Sequence, residues 1–296
     1  MKTKILTFSL LAFLLFAVSC EKETINNTST VDDELLATIT DEVLADINFA
    51  DLLSEGDDGI FWGDNAFSSL KSAEKVSGCW SKRTKVEEGD KVVITLEYEG
   101  DCDKYGTIII EYLKPNNNSD AKKKTITYQE FIKNEVTFNG TKDVVRGNDN
   151  YSVKGEMTVE KKNDEGEDVL ITRNYEKQIK WICGLDTKNN KEDNILKITG
   201  ETEVTKTVDE VEKSYKRKIL KPLLVVKVCD LKVQAGLVKI EKGDGTEVEI
   251  DYGKMPDNID CESDFECGTT FEITKDGKTY QLELVEGKRV KVTSDE

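Results

Sequence analysis

The stretch Lys91-Val92-Val93-Ile94-Thr95-Leu96-Glu97-Tyr98-Glu99-Gly100 decides the fold. Val92, Ile94, Leu96 and Tyr98 alternate with Val93, Thr95 and Glu97, the two-residue period of a strand with one dry face and one wet face. Glu99-Gly100-Asp101-Cys102 reads as a turn, after which Ile108, Ile110 and Tyr112 alternate with Ile109 and Glu111. A hairpin follows from two such runs joined by so short a connection.

Outward from this hairpin the same alternation recurs at Ile126-Tyr128, Val136-Phe138, Val153 with Met157-Val159, and Val169-Ile171. It continues through Ile195-Ile198, Val204-Val208, Val238-Ile240, Val248-Ile250-Tyr252, Phe271-Ile273, Tyr280-Leu282-Leu284 and Val290-Val292. Turn signals separate the runs: Asn139-Gly140, Asn163 to Gly166, Gly243-Asp244-Gly245 and Asp276-Gly277. No helical period lies between the strands, so parallel βαβ units are excluded. The expectation is an all-β domain over residues 76–296, an extended antiparallel multi-hairpin sheet forming a curved sheet, open barrel or sandwich. A weak internal similarity divides it into halves, 76–190 and 191–296.

Residues 31–75 carry the one helical pattern, with Leu35, Leu36, Ile39, Val43 and Ile47 at steps of three and four. Asp32, Asp33 and Glu34 occupy the first turn, where the helix dipole favours anions. An amphipathic helix that packs on the sheet or forms a stalk is expected there.

The N-terminus reads as an address. Lys2 and Lys4 precede an apolar run from Ile5 to Val18, and Ala17-Val18-Ser19 leads to Cys20. This is the layout of a secretory signal, and the run is shorter than the roughly 20 residues of a membrane-spanning helix. Ala17-Val18-Ser19-Cys20 resembles a bacterial lipobox, with Ala17 where Leu is commonest. The resemblance implies cleavage of residues 1–19 and lipidation of Cys20, with 20–30 as a tether. Glu21-Lys22-Glu23 is similar to the surface-export signal of Bacteroidetes lipoproteins, which implies a protein on the cell surface of the outer membrane; a solvated tether on the periplasmic face is the alternative.

Acidity bounds the partners. Of 42 Lys and Arg, Lys2 and Lys4 lie in the signal, leaving 40 against 59 Asp and Glu, a formal charge of −19. Such a surface repels phosphate backbones, so no nucleic-acid partner is expected. The chain has no histidine, which removes the usual general base and imidazole-bearing zinc sites. No cofactor is implied.

Six cysteines remain after Cys20: Cys79, Cys102, Cys183, Cys229, Cys261 and Cys267. An even number in an exported chain points to disulfides, with fifteen connectivities open. Cys79 with Cys102, and Cys229 with Cys261, each flank a hairpin-like unit, which leaves Cys183 with Cys267. The two units share a pattern of cysteine, strand, a Tyr98- or Tyr252-bearing corner with glycine, and second cysteine. With the acidic post-anchor helix and the run Thr125 to Thr141, this resembles a set of flavobacterial-type Bacteroidetes surface lipoproteins over residues 76–296. The resemblance implies a multi-hairpin sheet and no assigned activity.

The chemistry-bearing candidates are few. Gly243-Asp244-Gly245-Thr246 lacks the spacing of a calcium loop and is explained as a hairpin turn. Asp257, Asp260, Glu262, Asp264 and Glu266 form the better cation candidate. Paired carboxylates could run a glycoside hydrolase, but so acidic a chain guarantees a close pair. Trp80 and Trp181 stand near Cys79 and Cys183, where packing on a disulfide is expected, and Trp62 is isolated. The reading is a non-enzymatic envelope lipoprotein that binds a glycan or protein. Its rivals are a structural envelope component without a ligand and a carboxylate-based glycoside hydrolase.

Overall fold

The computed structural model describes residues 31–57, 82–100, 104–114, 122–147, 150–163, 166–184, 194–261, 265–285 and 289–295. The signal, Cys20 and the tether, Trp62, Trp80, Cys79 and Cys102 lie outside them, and so does the Cys79–Cys102 pairing. One helix, α1 (Asp33–Asp57), precedes fourteen strands. These are β1 (Lys82–Glu88), β2 (Lys91–Glu99), β3 (Lys104–Leu113), β4 (Lys122–Lys133), β5 (Val136–Arg146), β6 (Asn150–Lys162) and β7 (Asp168–Cys183). The chain continues through β8 (Ile195–Val208), β9 (Val211–Val226), β10 (Val233–Lys242), β11 (Glu247–Asp251), β12 (Thr270–Lys275), β13 (Lys278–Val285) and β14 (Arg289–Asp295).

Each strand pairs antiparallel with the next, so the sheet is one open meander in sequence order. Residues 31–296 form one compact unit. Strands β7 and β8, on either side of residue 190, are paired from Val169↔Val208 to Cys183↔Ile195. The alternation works as the sequence implies: Val92, Ile94, Leu96 and Tyr98 of β2 are all buried on the inner face.

Against that inner face packs α1. Asp32 caps it, its Oδ1 accepting from the Leu35 amide at 2.6 Å. Leu35, Ile39 and Val43 are buried in the same apolar cluster as the inward residues of β2 to β14. Asp32 at one end ion-pairs with Lys275 of β12, and Ala45 faces a cavity that Phe138 of β5 also lines. Seven strand spacings separate β5 from β12, about 33 Å across a flat sheet. Asp32 to Ala45 spans only about 20 Å of helix. The sheet therefore curves around α1, and from Thr38 to Asn48 no helical residue is exposed.

Bulges make the bend. The β8–β9 register shifts between Ile198 and Glu201, at Gly200, whose φ is +132°. A Cβ there would lie 2.1 Å from the Glu176 carbonyl, so only glycine admits the approach.

Two expectations are corrected here. Asn139-Gly140 is not a turn but lies inside β5; the β4–β5 reversal falls at Asn134-Glu135, both with positive φ (51° and 65°). Asn139 instead caps a bulge across the ladder, its Oδ1 accepting from the Glu130 amide at 2.7 Å. The disulfides are also different: Cys183 bonds Cys261 and Cys229 bonds Cys267, with Cα separations of 5.5 and 5.4 Å. Cys229–Cys261 and Cys183–Cys267 are not formed. Local hairpin closure fails because residues 252–269, between β11 and β12, are no hairpin. They run back over the outer face, where Met255, Ile259 and Phe265 cover Ile195, Leu224, Val226 and Ala235.

Candidate functional site

Two concave regions lie on opposite faces of the sheet. The outer one is a groove of about 710 Å³ beside the stapled segment. Strands β8 and β9 contribute Lys197 and Lys221, and β10 contributes Gly236. Asp251, Gly253, Lys254 and Met255 come from the end of β11 and the segment that follows. Glu272 of β12 and Gln281 of β13 complete it. The strand residues are there because they hold the wet parity of their strands, and in register Asp251 stands opposite Glu272, which stands opposite Gln281. Asp251 Oδ1 accepts from the Gly253 amide at 2.8 Å, which fixes the corner where the chain leaves the sheet. The two disulfides then hold the segment without regular secondary structure, so the groove wall is rigid although it is a loop. Ammonium donors, carboxylate acceptors and an amide share one open surface.

The inner region is a cavity of about 120 Å³ between α1 and β5–β9. Apolar side chains, among them Phe138, Met157 and Ile171, form its strand wall. The charged groups belong to a buried network. Glu42 is fully buried; its Oε1 accepts from the Tyr215 hydroxyl at 2.6 Å and lies 2.9 Å from Arg173 Nη2. Arg217 Nε is 3.0 Å from Glu42 Oε2, and Arg217 Nη2 is 2.5 Å from Asp46 Oδ2. Asp41 takes Lys161 and Lys206, each at 2.6 Å.

Burial alone would push the Glu42 carboxyl up, but the guanidinium groups of Arg173 and Arg217 outweigh it and hold it below the usual range. Burial pushes the Tyr215 hydroxyl up, and Glu42 pushes it further. Burial also lowers Lys177, on the inward side of β7, to about 8, against the opposing pull of Asp46.

Of the residues singled out in the sequence, few meet. Asp257 and Asp260 are exposed on the outer segment, and Asp257 lies 3.7 Å from Lys254. Glu266 is exposed too, while Glu262 and Asp264 lie outside the described residues. Among the described residues no group of three metal-ligating side chains converges. Trp181 does not pack on its neighbouring disulfide. A register shift between Trp181 and Cys183 turns them to opposite faces, and the indole meets the Tyr151 ring at 4.6 Å in the inner cluster.

Missed by sequence reasoning were the inward cations Lys142, Arg173, Lys177 and Arg217, and the helix acids that face them. The signal was present. In β7, Arg173 and Lys177 hold the dry parity with Ile171, Tyr175 and Ile179, and on α1 the steps Leu35, Ile39, Glu42, Asp46 continue one stripe. Among the described residues no helix is long and apolar enough to cross a membrane. No protein-family model, no curated protein and no solved structure matches the chain.

Proposed function

We propose that the protein is a non-enzymatic envelope lipoprotein, held to the outer membrane by lipid on Cys20, that recognises a polar partner at the cell surface. The observation that carries this reading is the outer groove, walled by a segment that two disulfides fix on an otherwise plain strand face. Rigid loops on a scaffold are where recognition residues concentrate, and a groove of this size accommodates part of a glycan or of a protein surface. Its mixed donors and acceptors suit a hydroxyl-rich or zwitterionic ligand better than an apolar one. The lipid supplies location, since buried acyl chains each add about 0.8 kcal/mol per methylene to membrane affinity.

The test is a glycan array together with an envelope pull-down, using the chain from residue 24 onward and a Lys221→Glu/Glu272→Lys variant. Retention of a ligand by the parent and its loss by the variant is the expected outcome. Silence in both assays removes the recognition reading and leaves a structural envelope component. The hydrolase alternative has one observation in its favour, the cross-strand pair Asp251 and Glu272 in the same groove. Release of reducing sugar that disappears in Glu272→Gln would establish it instead.

A further inference from the structure

The inner cavity is a second, independent place to look for a ligand. Five cations line it, Lys142, Lys161, Lys177, Arg173 and Arg217, against three carboxylates, Asp41, Glu42 and Asp46. That leaves an excess of two positive charges among the described lining residues, in a space cut off from water. Asp41 also engages Lys206, so the acids are already committed. Lys142 and Lys177 are set over the rings of Tyr128 and Tyr175, at 5.2 and 5.9 Å, contacts that orient the ammonium groups without neutralising them.

Arg217 is 1% exposed, and its Nη1 has no well-formed hydrogen bond. A buried donor on a charged group is costly unless something accepts from it. Opposite the cations the wall is apolar, with Phe138, Met157 and Ile171. Cation on one side and hydrocarbon on the other is the complement of an amphipathic anion. A dry cavity of comparable volume takes a molecule the size of benzene.

We propose that the cavity between α1 and β5–β9 binds a small organic carboxylate, its anionic end among Lys142, Lys177 and Arg217 and its apolar body against Phe138, Met157 and Ile171. The ligand neutralises the charge excess and fills the space beneath the helix. It binds the folded chain only, since the unfolded chain has no cavity, and therefore raises the melting temperature.

The experiment measures thermal shift and calorimetric binding at pH 7, with benzoate and hexanoate as probes. Benzyl alcohol, hexanol and inorganic phosphate serve as the neutral and the purely ionic comparisons. The carboxylates are expected to stabilise the chain and to bind at least about tenfold tighter than either comparison, the discrimination of one charge-assisted hydrogen bond. Lys177→Met, which keeps the side-chain length, removes that preference, and Lys177→Arg restores it. Lys142→Met provides a second reading if the first variant does not fold. Equal binding of alcohol and carboxylate, an equal effect of phosphate alone, binding unchanged in both Met variants, or no binding at all overturns the proposal.

Discussion

Glu42 sits between two guanidinium groups and a tyrosine hydroxyl, with no water in reach. A carboxylate in that setting is held by its partners and in turn neutralises them, so removing its charge strands both arginines. Glu42→Gln is expected to destabilise the fold by about 3–5 kcal/mol in urea unfolding, the cost of leaving buried charge unpaired. Lys177 makes the opposite case. Its folded pKa, about 8, is below the ordinary 10.5 because burial outweighs the carboxylates of Asp46 and Glu42, and Arg173 and Arg217 add repulsion. Below pH 8 the folded chain carries this cation at a cost, while the unfolded chain keeps the proton up to its higher pKa. Stability from this group therefore rises between about pH 8 and 10.5. Lys177→Met is expected to be more stable than the parent at pH 7, by at most about 3 kcal/mol, and to lose that advantage near pH 10.5. Unfolding curves at both pH values check the sign.

At the scale of elements, what could be read from sequence was what a period encodes. Every strand with clean alternation is found, and so is the helix start at Asp32, because one buried face and one capping carboxylate each leave a local mark. Asn139-Gly140 misled because asparagine and glycine serve bulges and close strand approach as readily as turns. In β5 the asparagine caps a bulge, and a Cβ on the glycine would meet the Glu156 carbonyl at 2.2 Å. Disulfide partners were not legible, since pairing depends on where residues 252–269 cross the sheet and not on spacing along the chain. Two observations follow from the pairing. Non-reduced peptide mapping should recover Cys183 linked to Cys261 and Cys229 linked to Cys267, and peptides joining Cys229 to Cys261 would refute it. The double variant Cys229→Ser/Cys267→Ser, which opens a link across 38 residues, should cost about 4 kcal/mol in the chain-entropy account.

For the whole molecule, the helix and the sheet define each other. Charges on the dry parity of β7 and β9 would be intolerable in a sheet facing only hydrocarbon, and the acids of α1 would be out of place on an apolar stripe. Together they form a charged centre in an otherwise apolar core. Neither half looked informative alone, which is why the inner site escaped a reading made strand by strand. The arrangement also divides the surfaces: with its own helix occupying the inner face, the sheet offers large partners only its outer face and the groove there.

That division is the central claim, and hydrogen exchange of the α1 amides tests it most directly. With α1 enclosed by the sheet, the amides from Ile39 to Ile47 should exchange only through global unfolding, as slowly as those of β7 and β8. Exchange of those amides within seconds, with the strands still protected, would mean that the helix lies free as a stalk. The inner face would then be open to partners, and the outer groove would lose its claim as the recognition surface.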